Sequence, residues 1–147
     1  MKNRLENQRG NVLVFVAVSL TLFFMFLALS VDIGWIMLTK SELQSAADSA
    51  ALAGAAQLAE GNIALARDFS QEFSSYNTAA KESIEVDRNN GNDLDGGIVV
   101  GYLENPLDLE EPLQTEGVSR YNSVQVETLR SAEINGPLQT FLGFFTG

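Results

Sequence analysis

Residues 12–31 carry no charged side chain, and 14 of these 20 are Val, Leu or Phe. A helix of that length spans the roughly 30 Å hydrocarbon core of a bilayer. At about 0.3–0.6 kcal/mol for each Val, Leu or Phe, the run favours insertion by on the order of 6 kcal/mol. Residues 31–61 change character without losing the helical signal: Ala, Leu, Met, Lys, Glu and Gln dominate, no proline interrupts, and Gly61 followed by Asn62 supplies a stop. One helix is therefore predicted to leave the membrane and continue into water.

Beyond Asn62, a suitable cap, Ile63, Ala66, Phe69, Phe73 and Tyr76 or Asn77 recur at helical spacing and predict a second helix. Three stretches then read as strands. Residues 83–87 alternate Ile84 and Val86 with polar positions, residues 98–103 form a continuous apolar run, and residues 122–128 alternate Val124 and Val126. The connection over 89–97 is dense in Asn, Asp and Gly, and that over 104–120 is acidic and broken by Pro106 and Pro112. The expected fold class is α+β: a long N-terminal transmembrane helix running into an Ala-rich helix, then a small domain with a second helix and a three-stranded antiparallel sheet. The expected division is a basic segment 1–10, a membrane helix 11–38, a helical extension 39–61 and an α+β domain 62–147.

Charge orients the span. Lys2, Arg4 and Arg9 oppose a single Glu6 before it, whereas 18 of the 19 acidic residues follow it. The basic end should stay in the cytoplasm and the acidic remainder outside it, as a single-pass protein of an inner membrane. A net charge of −10 repels nucleic acid. The chain has neither Cys nor His, so the commonest nucleophiles, general bases and zinc ligands are absent, and no phosphate-binding glycine loop is present. No enzyme activity, cofactor or metal site is expected.

Residues 28–30, Ala-Leu-Ser, would suit a signal peptidase. The apolar run exceeds the roughly 7–15 residues usual for such signals and the helix pattern continues past that point, which favours an uncleaved anchor. A secreted or surface-exposed adhesive domain released after Ser30 is the alternative this leaves open.

Asp32 lies at the outer boundary of the run, Trp35 suits the headgroup layer, and Lys40 marks the return to water. Asp32 reads either as a hydrated interfacial carboxylate or as a contact to a basic group on a neighbouring membrane subunit. Farther along, Ala46, Ala50 and Gly54 form one ridge, with Ala47, Ala51, Ala55 and Ala59 beside it. Such a face admits another backbone, including self-association, or simply stiffens an exposed helix.

The order RGNVLVFVAVSL, LALSVDIGW and LQSAADSAALAGAAQLA resembles the N-terminal region of the TadE/TadG-like proteins of the bacterial Tad (Flp) pilus assembly, nearest the TadG type. The resemblance rests on Arg9-Gly10, on Asp32 with Gly34, and above all on Gln44 with Ala46, Ala47, Asp48, Ala50, Ala51, Leu52, Ala53, Gly54 and Ala55. It implies a membrane-anchored structural component with a pilin-like arrangement, whose partners are the lipid bilayer and other Tad assembly proteins or pseudopilins. It also implies Asp32, Gly34, Trp35, Ala46, Ala47, Asp48, Ala50 and Gly54 as membrane and assembly residues. TadE-type pseudopilins are cut after a Gly, which would be Gly10 before Asn11, and carry a Glu five residues after that Gly. Here that position is Phe15, which favours a retained anchor over a processed minor pseudopilin. Many TadG-like proteins carry a further outer domain, so the resemblance implies a short or shortened member.

Two stretches remain. Residues 87–97 are rich in oxygen ligands but fail the calcium-loop spacing, with Asn92 at the sixth position and Ile98 at the twelfth. A solvated turn is the expected reading. The end of the chain, with Gly136, Pro137, Phe141, Phe144 and Phe145, resembles the close of the family's first outer module. Its clustered Phe are expected to pack on the sheet or the membrane helix, with a partner surface as the alternative.

Overall fold

The computed structural model describes residues 3–108 and 110–146, with side-chain surroundings for 12–108 and 110–144. Lys2 lies outside the described residues, as do the surroundings of Arg4, Arg9, Gly10, Asn11 and Phe145. The chain is α+β and forms two compact units: Met1–Met37 with Gln139–Gly147, and Leu38–Leu138.

Helix α1 (Asn3–Ala59) is unbroken for 57 residues. It ends in a left-handed turn at Gly61 (φ +82°), where Gly61 N–H donates to Leu58 O at 2.9 Å and Asn62 N–H to Gln57 O at 3.4 Å. Those two bonds satisfy carbonyls the helix would otherwise leave open. Asn62 then starts α2 (Ile63–Ser75), its side chain accepting from Leu65 N–H at 3.0 Å.

In the unit 38–138 the strands are short. β1 (Thr78–Ala79) pairs with β2 (Glu82–Ser83), and β3 (Ile98–Gly101) pairs with β4 (Ser123–Val126), both antiparallel. The β3–β4 register sets Ile98 opposite Val126 and Val100 opposite Val124. The expected three-stranded sheet is thus replaced, among the described residues, by two sheets of two strands. Residues 84–87 were the missing strand. Ile84 and Val86 are buried as their alternation predicts, but the backbone between them is bonded to side chains: Glu85 N–H donates to Asn135 Oδ1 and Glu85 O accepts from Asn135 Nδ2, while Val86 O accepts from Gln71 Nε2.

The same device closes the far edge of β3. Val100 N–H donates to Asn92 Oδ1 and Val100 O accepts from Asn92 Nδ2, both at 2.9 Å. Asn122 pairs with Leu103 in the same two-bond pattern. A carboxamide can present an N–H and a C=O in the spacing of a peptide group, so each asparagine satisfies the N–H and C=O of one residue without a neighbouring strand.

The core of this unit is where α1, α2 and the sheets meet. Ala46, Ala79, Ile84, Val86 and Ile98 form one buried cluster, with Leu43, Val124 and Val126 against it. Leu58, Ala66 and Val100 form a second, under Tyr121 and Val124. The second helix is as predicted, but its buried face is not the aromatic one. Ala66, Arg67, Ser70 and Ser74 are buried, whereas Phe73 and Tyr76 are exposed and stack in a ladder with Phe69 at centroid distances of 6.3 and 5.6 Å. The reason is the closeness of α1: a Cβ built on Gly54 would lie 2.1 Å from Ser70 Oγ and 3.0 Å from Ala66 O. Only small residues fit on both sides of such a contact.

Arg67 organises the adjacent loop. It is 6% exposed, and its Nη1 donates to the carbonyls of Arg88, Asn89 and Ile98 at 3.0, 2.7 and 2.8 Å, its Nη2 to Asn92 Oδ1 at 2.6 Å. Burial holds this guanidinium below the usual arginine range, Arg88 adding to the depression while Tyr121 and Asp87 oppose it. It remains ionised at physiological pH. Asn89 (φ +50°) and Asn92 (φ +59°) take left-handed backbone conformations that asparagine tolerates.

Candidate functional site

The unit of residues 1–37 and 139–147 contains the apolar part of α1 and the short helix α3 (Phe141–Thr146). Along α1 the apolar side chains point outward and stay bare, Phe15 being 71% exposed and Met37 68%. Among the described residues this is one helix long and apolar enough to cross a membrane, and none of its most apolar window is buried within the chain. A bare apolar helix of this length is a candidate membrane span.

Asp32 is turned to the chain's own α3. It is 6% exposed, and its carboxylate accepts from the first two amides of α3, Phe141 N–H to Oδ1 at 2.6 Å and Leu142 N–H to Oδ2 at 2.8 Å. Thr140 Oγ1 takes the third, Gly143 N–H, at 3.0 Å, and Thr140 O accepts from Phe144 N–H at 3.1 Å. A helix begins with amides that lack intrahelical partners and a positive dipole end, so a carboxylate there answers both charge and hydrogen bonding. Asp32→Ala is accordingly expected to free α3. Loss of charge-assisted bonds worth about 1.5–3 kcal/mol should speed hydrogen exchange at the Phe141 and Leu142 amides about 10- to 100-fold, with exchange in 38–138 unchanged; protection that survives the substitution would contradict the contact.

The other residues singled out in the sequence scatter. Trp35 is partly buried, and Gly34 is exposed, with open space where a Cβ would stand. Asp48 is exposed and accepts from Gln44 Nε2 at 2.8 Å, one helical turn away. Ala46, Ala50 and Gly54 of the first small-residue ridge are buried, Ala46 against Ala79, Ile84, Val86 and Ile98 and Gly54 against α2 and β4, and Ala47 at the start of the second ridge is buried too. On the second ridge Ala55 and Ala59 are exposed, and Leu52 nearby is 73% exposed. Any self-association of the Ala-rich helix would have to use that side.

In the oxygen-rich loop 87–97 the carbonyls of Arg88 and Asn89 and the side-chain oxygen of Asn92 are turned to the Arg67 guanidinium. Next to it a cleft of about 640 Å³ is lined by Asp68, Glu72, Glu85, Asp87 and Glu133. Arg88 pairs with Asp68 at 2.7 Å. Among the described residues no group of carboxylates is disposed to hold a metal ion.

Residues missed by sequence reasoning are Arg67, Thr140 and the three edge-closing asparagines. Thr140 ahead of an apolar run had the form of a helix cap. Nothing local pointed from Asp32 to residues 109 and 110 positions away.

Residues 10–57 match a family model described as putative Flp pilus-assembly TadE/G-like. That third of the chain contains the bare apolar surface of α1, Asp32 and the small-residue ridges as far as Ala55. No curated protein and no solved structure matches the chain.

Proposed function

We propose, from a TadE/G-like segment that coincides with an apolar helix left bare, that this protein is a single-pass structural component of a Tad-type pilus assembly. In this reading residues 11–38 cross the inner membrane, the basic N-terminus is cytoplasmic and the acidic unit faces outward. It works by anchoring and helix packing, without catalysis, beside other assembly proteins or pseudopilins. The nearest type is TadG, and a long helix bearing a small α+β unit is the pilin-like arrangement that the resemblance implies. The observation that carries the proposal is the outward, solvent-incompatible surface of α1 over residues 12–38.

Mass spectrometry of the mature N-terminus in membranes from the producing bacterium checks it. The expected result is a chain that remains with the inner membrane and begins at Met1. A start at Asn11 would instead identify a processed pseudopilin, consistent with the Gly10-Asn11 junction but not with Phe15. A start after Ser30 would identify a released outer domain.

A further inference from the structure

Three observations converge on α3. Its first amides are fixed to Asp32, the residue directly after the charge-free run of α1. Its outward side chains are apolar: Phe141 is 56% exposed, Leu142 38% and Phe144 82%. Residues 134–147 form the longest charge-free stretch after α1's apolar run, in a chain of net charge −10. An uncharged aromatic helix on water is an unfavourable arrangement, whereas the same segment in the lipid interface is a favoured one.

We propose that α3 is a second membrane contact, an interfacial helix that Asp32 holds at the depth where α1 leaves the bilayer, with Phe141, Leu142 and Phe144 among the lipid headgroups and upper acyl chains. The proposal rests on the reading of α1 as a membrane span. The backbone supports it independently of the side chains. In a poorly hydrated layer each amide needs a partner within the protein, and the amides of residues 141–144 have theirs in Asp32 and Thr140. α3 is fixed to α1 at Asp32, the residue that closes the apolar run, so a bilayer that takes up the run is the occupant within reach of the exposed Phe141, Leu142 and Phe144. Asp32 then acts as a depth gauge: a carboxylate at the end of the run that is satisfied by α3 rather than by water.

The full chain in phosphatidylcholine–phosphatidylglycerol vesicles tests this. Its sole Trp35 is replaced by Phe, and a single indole is placed by Phe144→Trp or, as a control, by Leu107→Trp at a 90% exposed position. Vesicle flotation after alkaline extraction reports the span separately. The expected result is flotation of both variants, with the indole at 144 quenched several-fold more than that at 107 by brominated lipid and several-fold less by aqueous iodide. Adding Asp32→Ala should reduce the lipid quenching at 144 several-fold without affecting flotation. Flotation with iodide quenching at 144 equal to that at 107 overturns the proposal and leaves the span standing. An indole at 144 shielded from both quenchers overturns it in favour of a protein partner or second copy. Lipid quenching that survives Asp32→Ala overturns the role of the carboxylate, and failure to float overturns the span and the proposal together.

Discussion

Arg67→Met is expected to lower the stability of the unit 38–138 by about 2–4 kcal/mol, a large part of what so small a unit has. The estimate follows from which acceptors lose their donor. Ile98 O keeps Asn89 Nδ2, and Asn92 Oδ1 keeps Val100 N–H. Asn89 O keeps Asn92 N–H at 3.0 Å but loses one of its two donors, and Arg88 O loses the guanidinium. Backbone carbonyls cannot be mutated away to match an apolar replacement, so the usual relief from removing a buried charge is only partial. Arg67→Lys should fall between the two. It keeps the charge, but one ammonium cannot span the acceptors that Nη1 and Nη2 now divide. Urea unfolding of the full chain in detergent, read by near-ultraviolet circular dichroism of the tyrosines, measures both. A loss below about 1 kcal/mol for the methionine variant would mean that the loop does not depend on its cation.

Gly54→Leu should be comparably severe, although by intrinsic preference it favours the helix by roughly 0.8–1 kcal/mol. The first added carbon already meets Ser70 Oγ at 2.1 Å, Ala66 O at 3.0 Å and Val124 Cγ1 at 3.2 Å. Three further carbons have nowhere to go, and overpacking of about 3 kcal/mol outweighs propensity. Ser70 makes the argument testable in finer steps. Its hydroxyl is buried without a hydrogen-bond partner among the described residues, so Ser70→Ala is expected to stabilise the unit by about 1 kcal/mol. It also removes the atom nearest the new Cβ. Gly54→Ala should therefore be destabilising alone and close to neutral beside Ser70→Ala, a coupling of about 1 kcal/mol or more in a double-mutant cycle. Additive effects would show that the two helices are not in the contact described.

How much of this could be read from the sequence depends on the range of the interaction. The charge-free run, the Gly61 stop and the Asn62 cap are local and were legible, as were β3 and β4 from an apolar run and an alternation. The buried face of α2 was not, because periodicity weighs hydrophobicity while the contact with α1 selects for size: Ala66, Ser70 and Ser74 go inward and the aromatics stay out. Residues 84–87 bury Ile84 and Val86 as an inner strand would. Their pairing partner was unpredictable, since an asparagine 50 positions away replaces a strand. At the candidate site, the apolar surface and the special position of Asp32 could be read from composition and order. Its partners could not, because they depend on the return of the chain from more than 100 residues away.

That return has a cost in time. The second amide that Asp32 accepts from lies 110 residues downstream. At about 5–20 residues per second, the carboxylate leaves the ribosome roughly 5–20 s before its partner exists. For that interval the apolar run of α1 ends in a carboxylate without the two amides that later hold it. Asp32 gains these two partners only once residues 141 and 142 have been made.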